Sequence, residues 1–300
     1  MLVVRLSSLG DIVLTEPVTA ALRLARPDCE IAFAVKERFR DVVAGQPAVT
    51  AVHALPSGSA GALASLCREV RSRRYSAVVD LHGNARSRVV AAAAHAPVVS
   101  VYRKRDPGDW LRVRVARRPF RARVLTVDRY LAALTKLGIA APSARPQFRV
   151  PGRDAALADG RLAGRGLSAG RFTVVAPGAV WETKRWPAER FAEVVRELSQ
   201  GEGLPCLLVG SEAERALCDE VAAAAGPGAR AGSVAGETTL RQTAALVSRA
   251  ALFVGNDSGL SHLAMAAGTP TVAVFGPTDP GQLDFKGHAA VYADLSCSAC

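Results

Sequence analysis

The chain has 300 residues, 49% of them hydrophobic, and a formal net charge of +11. That length and apolar share are ample for one large or two medium domains with a real core. The positive charge favours an anionic partner, whether nucleic acid, an acidic membrane surface or a phosphorylated substrate. Six cysteines in so long a chain are not a disulfide scaffold, and Cys29, Cys67, Cys206 and Cys218 read as small buried hydrophobes. Cys297 and Cys300 form a C-x-x-C without the second pair a zinc site needs.

In chain order, Leu2–Leu6 reads as a strand, followed by a turn at Ser7–Gly10 and a helical pattern to Ala25. Arg5 breaks the opening apolar run, so no signal peptide is expected. Pro17 predicts a kink or a fresh helix start. Ile31–Val35, Val49–Ala54 and Ala77–Leu81 are strand candidates, with a helix at Gly61–Arg73 between the last two. The soft apolar stretch Val89–Val101 contains His95 and Pro97 and is too short to span a bilayer. A helix is expected over Thr126–Leu137 and a proline-rich linker over Ala140–Gly152.

The second half repeats the design. Strands are expected at Phe172–Ala176, Cys206–Val209, Ala251–Val254 and Thr271–Phe275, and helices at Pro187–Leu198, Ser211–Ala225, Thr239–Ser248 and Ser258–Ala267. Alternating strands and helices imply parallel sheets. The expected fold class is therefore α/β, with two Rossmann-like doubly wound domains, residues 1–150 and 151–300, facing each other across a cleft.

Val254–Pro280 is the most informative stretch. Asp257 and Ser258 stand where a helix begins, Gly259 leaves its backbone N–H groups approachable, and Gly268 with Pro270 ends the helix. Such a helix start suits a diphosphate and points to a nucleotide-sugar enzyme. Lys184, between a strand end and a helix opening at Pro187, is placed to neutralise a leaving diphosphate, since no Asp-x-Asp metal pair occurs. Trp181 and Trp186 read as packing residues, with Trp181 alternatively flanking an adenine. Ser211-x-x-Glu214 is a capping box, and Glu214 is equally a ribose ligand.

Three segments, Arg-Leu-Ser-Ser-Leu-Gly-Asp-Ile-Val (5–13), Pro-Gly-Ala-Val-Trp-Glu-Thr-Lys-Arg-Trp-Pro (177–187) and Asn-Asp-Ser-Gly-Leu-Ser-His (256–262), resemble glycosyltransferase family 9, the lipopolysaccharide heptosyltransferases. The resemblance implies a GT-B fold with an N-terminal acceptor domain, a C-terminal donor domain, and inverting, metal-independent transfer from ADP-heptose. It makes Asp11 the general base for the acceptor hydroxyl, although spacing alone favours a helix-capping carboxylate. It assigns Thr183, Lys184, Glu214, Asp257, Ser258, Gly259, Leu260 and His262 to the sugar nucleotide. Asp257 would reach the sugar hydroxyls while also capping its helix. It further implies helices beyond the C-x-x-C that cross back to the first domain, whereas this sequence stops at Cys300.

On the acceptor side, Asn84, Arg86, Ser87 and Arg103 are candidates for an anionic, lipid-linked sugar. The stretch Arg103–Arg123 holds nine Lys and Arg against Asp106 and Asp109, a net +7. It is expected to meet both that acceptor and the anionic inner membrane, from the cytoplasmic side, with affinity that weakens in salt. Rival readings are another nucleotide sugar, an epimerase of similar architecture, a scaffold without activity, or a nucleic-acid-binding protein. The last is disfavoured because Tyr102, Trp110 and Phe120 do not interleave with the basic residues. No cofactor is expected.

Overall fold

The computed structural model describes residues 1–103 and 124–293. The basic stretch beyond Arg103 and the pair Cys297 and Cys300 lie outside the described residues. The described chain forms two compact units, residues 1–103, 124–149 and 281–284 in one and residues 150–280 and 285–293 in the other.

The first unit is built from β1 (Leu2–Val4), α1 (Leu9–Val13), α2 (Glu16–Ala25), β2 (Ala32–Lys36), α3 (Arg40–Ala44), β3 (Ala51–Leu55), α4 (Ala60–Ser72), β4 (Ala77–Asp80), α5 (Ala85–Ala93), β5 (Val98–Val101) and α6 (Thr126–Leu131). Its sheet is wholly parallel in the order β3-β2-β1-β4-β5. The helical pattern expected up to Ala25 is two helices, and Pro17 sits in the first turn of α2, where its missing N–H costs nothing. The predicted Thr126–Leu137 helix is α6 followed by a 3-10 segment, Ala132–Leu137, ended by left-handed Gly138.

The second unit contains α7 (Gly152–Ala163), β6 (Thr173–Ala176), α8 (Ala188–Arg196), β7 (Cys206–Leu208), α9 (Arg215–Ala224), β8 (Ala231–Ser233), α10 (Leu240–Val247), β9 (Leu252–Asn256), α11 (Gly259–Ala266), β10 (Thr271–Phe275) and β11 (Ala289–Tyr292). Its parallel sheet runs β11-β10-β9-β6-β7-β8. Both faces are covered, which is why its central strands read as continuous apolar runs rather than alternating ones. Val174 and Phe253 pack on one face with Ala245 and Leu246. Val175, Leu208 and Val254 pack on the other with Phe191, Val195 and Val221.

Each chain order reverses once, between β1 and β4 in the first sheet and between β6 and β9 in the second. In open α/β sheets, ligands bind outside the carboxyl ends of the strands at such a reversal. Cys206 and Cys218 are buried as expected, and burial pushes both thiols up to about 12. Cys29 and Cys67 are only half-buried, Cys29 in the turn after α2 and Cys67 at the edge of the core beneath α4.

Candidate active site

At the β1/β4 reversal of the first unit, the loop after β1 carries Arg5, Ser7, Ser8 and Asp11. The Ser7–Ser8 peptide is cis. Ser8 is the N-cap of α1 and Asp11 its third residue. The Asp11 carboxylate turns back and accepts from the Ser8 hydroxyl (2.7 Å) and the Ser8 N–H (3.3 Å). The helix-capping geometry expected from spacing is therefore present.

The cap is only part of its surroundings. Arg5, nearly buried, places its guanidinium 2.6 Å from Asp11 Oδ2. The same group donates to the carbonyls of Ser7 (2.8 Å) and Leu81 (2.5 Å), so it links the ends of β1 and β4. The Tyr130 hydroxyl, from α6, donates to Asp11 Oδ1 at 3.1 Å. Burial alone would raise the Asp11 pKa, but the Arg5 charge and the Ser8 hydrogen bonds outweigh it and hold the carboxyl below its usual range. The group is thus held as an anion, which accepts hydrogen bonds and donates none.

The β4 end is organised by buried Asp80. Its Oδ1 accepts from the N–H groups of His82 (2.9 Å) and Gly83 (3.0 Å), and its Oδ2 from the Ser87 hydroxyl (2.9 Å). Asn84 is the N-cap of α5, accepting from the Ser87 N–H (2.9 Å). Ser87 is buried and engaged in this cap, so its hydroxyl reaches a ligand only if the cap opens. Arg86 and Arg103 are exposed cations near the same end of the sheet.

In the second unit, the β6/β9 reversal brings two loops together. Buried Asn256, the last residue of β9, donates to the Pro177 carbonyl (2.7 Å) and accepts from the Trp186 N–H (2.9 Å). One amide thereby fixes both ends of the 177–187 loop. Within that loop, Lys184 Nζ lies 2.5 Å from Asp257 Oδ2. The expectation that Asp257 caps the following helix is corrected: Ser258 holds the N-cap position of α11, and the Asp257 carboxylate precedes it and turns to Lys184.

The Ser258 hydroxyl makes no cap bond either. Ser258 Oγ and His262 Nδ1 are buried without a hydrogen-bond partner, one turn apart at the start of α11. Unpaired buried polar atoms cost about 1–3 kcal/mol each, and here they flank free helix N–H groups. That arrangement favours an anion bearing several oxygens. Gly259 opens this helix without a side chain in the way. Leu260 departs from a ligand-contact reading at the side chain, which is half-buried against the Phe172 and Phe253 core, and its N–H alone remains on the helix start.

Glu214 caps Ser211 through Oε2, accepting from its N–H (2.8 Å) and hydroxyl (2.7 Å). Its Oε1 lies over the backbone of Gly178, where a Cβ would come within 2.0 Å of it. The carboxylate thus stands between the ends of β6 and β7, in space that a side chain at 178 would force it to leave. Glu212 is instead paired with Arg215 (2.6 Å) on the surface. Thr183 is exposed, and its carbonyl packs against Gly276 after β10. Trp186 packs edge-on against Phe191 with ring centroids 5.2 Å apart, as expected. Trp181 does not pack: it is 69% exposed beside Val180 at 88%, because the short 3-10 turn at Glu182–Lys184 turns it away from the core.

Asp257 gives the second unit an acid-sensitive point. Burial alone would raise its pKa, but His262 and Lys184 hold it far below the usual range. The His262 Nε2 atom is 3.7 Å from Oδ1, beyond a hydrogen bond, so the ammonium is the closer partner. A carboxylate whose folded-state pKa is depressed stabilises the fold above its unfolded value and loses that contribution as pH falls through the folded one. Wild-type stability in urea should therefore fall between about pH 5 and about pH 3 more steeply than that of Asp257→Asn. Parallel slopes would show that this pair does not govern the acid limb.

Two Rossmann-like units, one with an ionised carboxylate and the other with a lysine beside an open helix start, define a GT-B type transferase. Comparison with known proteins narrows this class. The profile of glycosyltransferase family 9 (heptosyltransferase) matches residues 63–298, and the chain belongs to that family. It is a glycosyltransferase. It is 28% identical to lipopolysaccharide heptosyltransferase 2 of Escherichia coli K12, over 97% of this chain and 86% of the relative. It is also 28% identical to lipopolysaccharide heptosyltransferase 1 of Pseudomonas aeruginosa, over 100% of this chain and 85% of that one. Among solved structures, Escherichia coli ADP-heptose lps heptosyltransferase II superposes with a TM-score of 0.78 at 25% identity, covering 97% of this chain and 89% of that chain. A family 9 glycosyltransferase from Veillonella parvula shares the fold with a TM-score of 0.83 at 24% identity, covering 97% and 86%.

Sequence reasoning passed over Arg5, Tyr130 and Asn256 as individual site residues. Asn256 and Arg5 sit inside quoted motifs, and each ends or follows a strand beside a reversal point, which was the available signal. Tyr130 offers none, being 119 residues from Asp11.

Proposed function

We propose that this protein is an inverting glycosyltransferase that moves a heptose from ADP-heptose to the inner core of lipopolysaccharide, without a metal ion. The observation that carries the reading is the helix start of α11, where Lys184, Ser258 and His262 gather around free N–H groups. Such a set meets the charge that grows on a departing diphosphate. The names of the curated relatives support heptose as the sugar and lipopolysaccharide as the acceptor.

In the proposed step, Asp11 takes the proton of the acceptor hydroxyl. The acceptor oxygen attacks the anomeric carbon as the bond to the diphosphate breaks, and ADP leaves with the electron pair. Glu214 holds ribose hydroxyls, and Asp257 and Thr183 border the sugar nucleotide. Arg86, Asn84 and Arg103 receive an anionic lipid-linked acceptor at the cytoplasmic face of the inner membrane. Among the described residues no helix is long and apolar enough to cross a membrane.

Calorimetry with ADP-heptose, ADP and UDP tests the nucleotide. Binding of the two adenine ligands with UDP at least tenfold weaker is expected. Tighter binding of UDP would replace this reading with another nucleotide sugar. Product analysis with a panel of sugar donors then identifies the sugar.

A further inference from the structure

We propose that Tyr130 is a positioning residue for the base, its hydroxyl holding Asp11 so that Oδ1 is the oxygen that takes the acceptor proton. The proposal rests on the reading of Asp11 as general base. A carboxylate oxygen offers two lone-pair directions. Oδ2 already meets three donors, the Arg5 guanidinium at 2.6 Å, the Ser8 hydroxyl at 2.7 Å and the Ser8 N–H at 3.3 Å. Oδ1 meets the Tyr130 hydroxyl at 3.1 Å. The Asp11 side chain is 34% exposed, so it has an accessible edge, and Oδ1 is the oxygen with acceptor capacity to spare.

Tyr130 is built to hold this geometry. Its side chain is fully buried. The Tyr102 ring, after β5, packs edge-on against it with centroids 5.0 Å apart, and the Arg5 guanidinium lies 5.5 Å from its ring centre. Burial, and next the Asp11 charge, push its phenol well above the ordinary value, so it stays protonated and remains a donor. The charged and titratable groups around Asp11 are thus Arg5 after β1, Tyr130 on α6 and Tyr102 after β5. With Arg5 on Oδ2, the Tyr130 hydrogen bond on Oδ1 fixes the carboxylate plane from outside α1, which the Ser8 cap alone cannot do.

Tyr130→Phe keeps the ring and removes the hydroxyl. We expect kcat to fall about tenfold, with the KM for ADP-heptose unchanged. Losing a donor to the ionised form raises the Asp11 pKa, so the acid limb of kcat/KM moves to higher pH. Carboxyl carbon NMR titration of Asp11, assigned against Asp11→Asn, should move the same way without any turnover. Incorporating 3-fluorotyrosine at position 130, a more acidic phenol of nearly the same shape, should shift both readouts in the opposite direction. A fall in rate that is equal at every pH, or an Asp11 titration that neither substitution moves, would overturn the proposal. Turnover surviving in Asp11→Asn would instead remove the base assignment itself, so the two failures are distinct.

Discussion

Asp11→Asn should lower turnover by about 10²–10⁴-fold while leaving ADP-heptose affinity nearly unchanged. The amide keeps the shape of the side chain and can still accept from Arg5 and Ser8, but it cannot take a proton. On the proposed reading Asp11, held by Arg5, Ser8 and Tyr130 in the first unit, serves the acceptor proton, so the loss should fall on turnover rather than on nucleotide affinity. Steady-state rates with calorimetry in parallel provide the check. A variant with full activity would show that another group activates the acceptor. A variant that loses sugar-nucleotide binding would place Asp11 in recognition rather than catalysis.

Lys184→Met should reduce kcat by about 10²–10³-fold, with a smaller change in ground-state affinity for ADP-heptose. In the proposed transfer the leaving diphosphate gains charge as its bond to the anomeric carbon breaks, so a cation placed beside it would act mainly in the transition state. A competing explanation is structural. Removing the ammonium strands the 6%-exposed Asp257 carboxylate, which costs about 3 kcal/mol when a buried partner is lost. The double variant Lys184→Met with Asp257→Asn separates the two. It should recover most of the stability in urea while activity stays low. Recovery of both would reduce Lys184 to a structural role.

Elements with a clear period and strong end signals were legible in the sequence. Thr271–Phe275 matches β10 at both ends, and Pro17 marks the start of α2 as its fixed φ predicts. The elements passed over share a weakness of signal. β5 lies in an Ala/Val run whose apolar character fits strand or helix equally. β8 is three residues of Ala, Gly and Ser, and β11 is an edge strand with two exposed positions. Each becomes a strand because a neighbour offers it a ladder of hydrogen bonds, which is a tertiary fact. The 140–152 linker ends where α7 begins, and that helix opens at Gly152, a poor helix former that hid it.

By itself, the sequence determined the two-unit parallel architecture, the open helix start after β9 and the chemical types of Asp11, Lys184 and Glu214. These are local properties, written in hydrophobic runs, capping residues and turn glycines a few positions apart. Only the tertiary structure decided that Asp257 pairs with Lys184 across 73 residues, that Asn256 fixes both ends of the 177–187 loop, and that Arg5 and Tyr130 hold the Asp11 carboxylate. Parallel sheets place the ends of strands distant in sequence within hydrogen-bond reach. The partners of a charged side chain there follow from strand order, which no local pattern encodes.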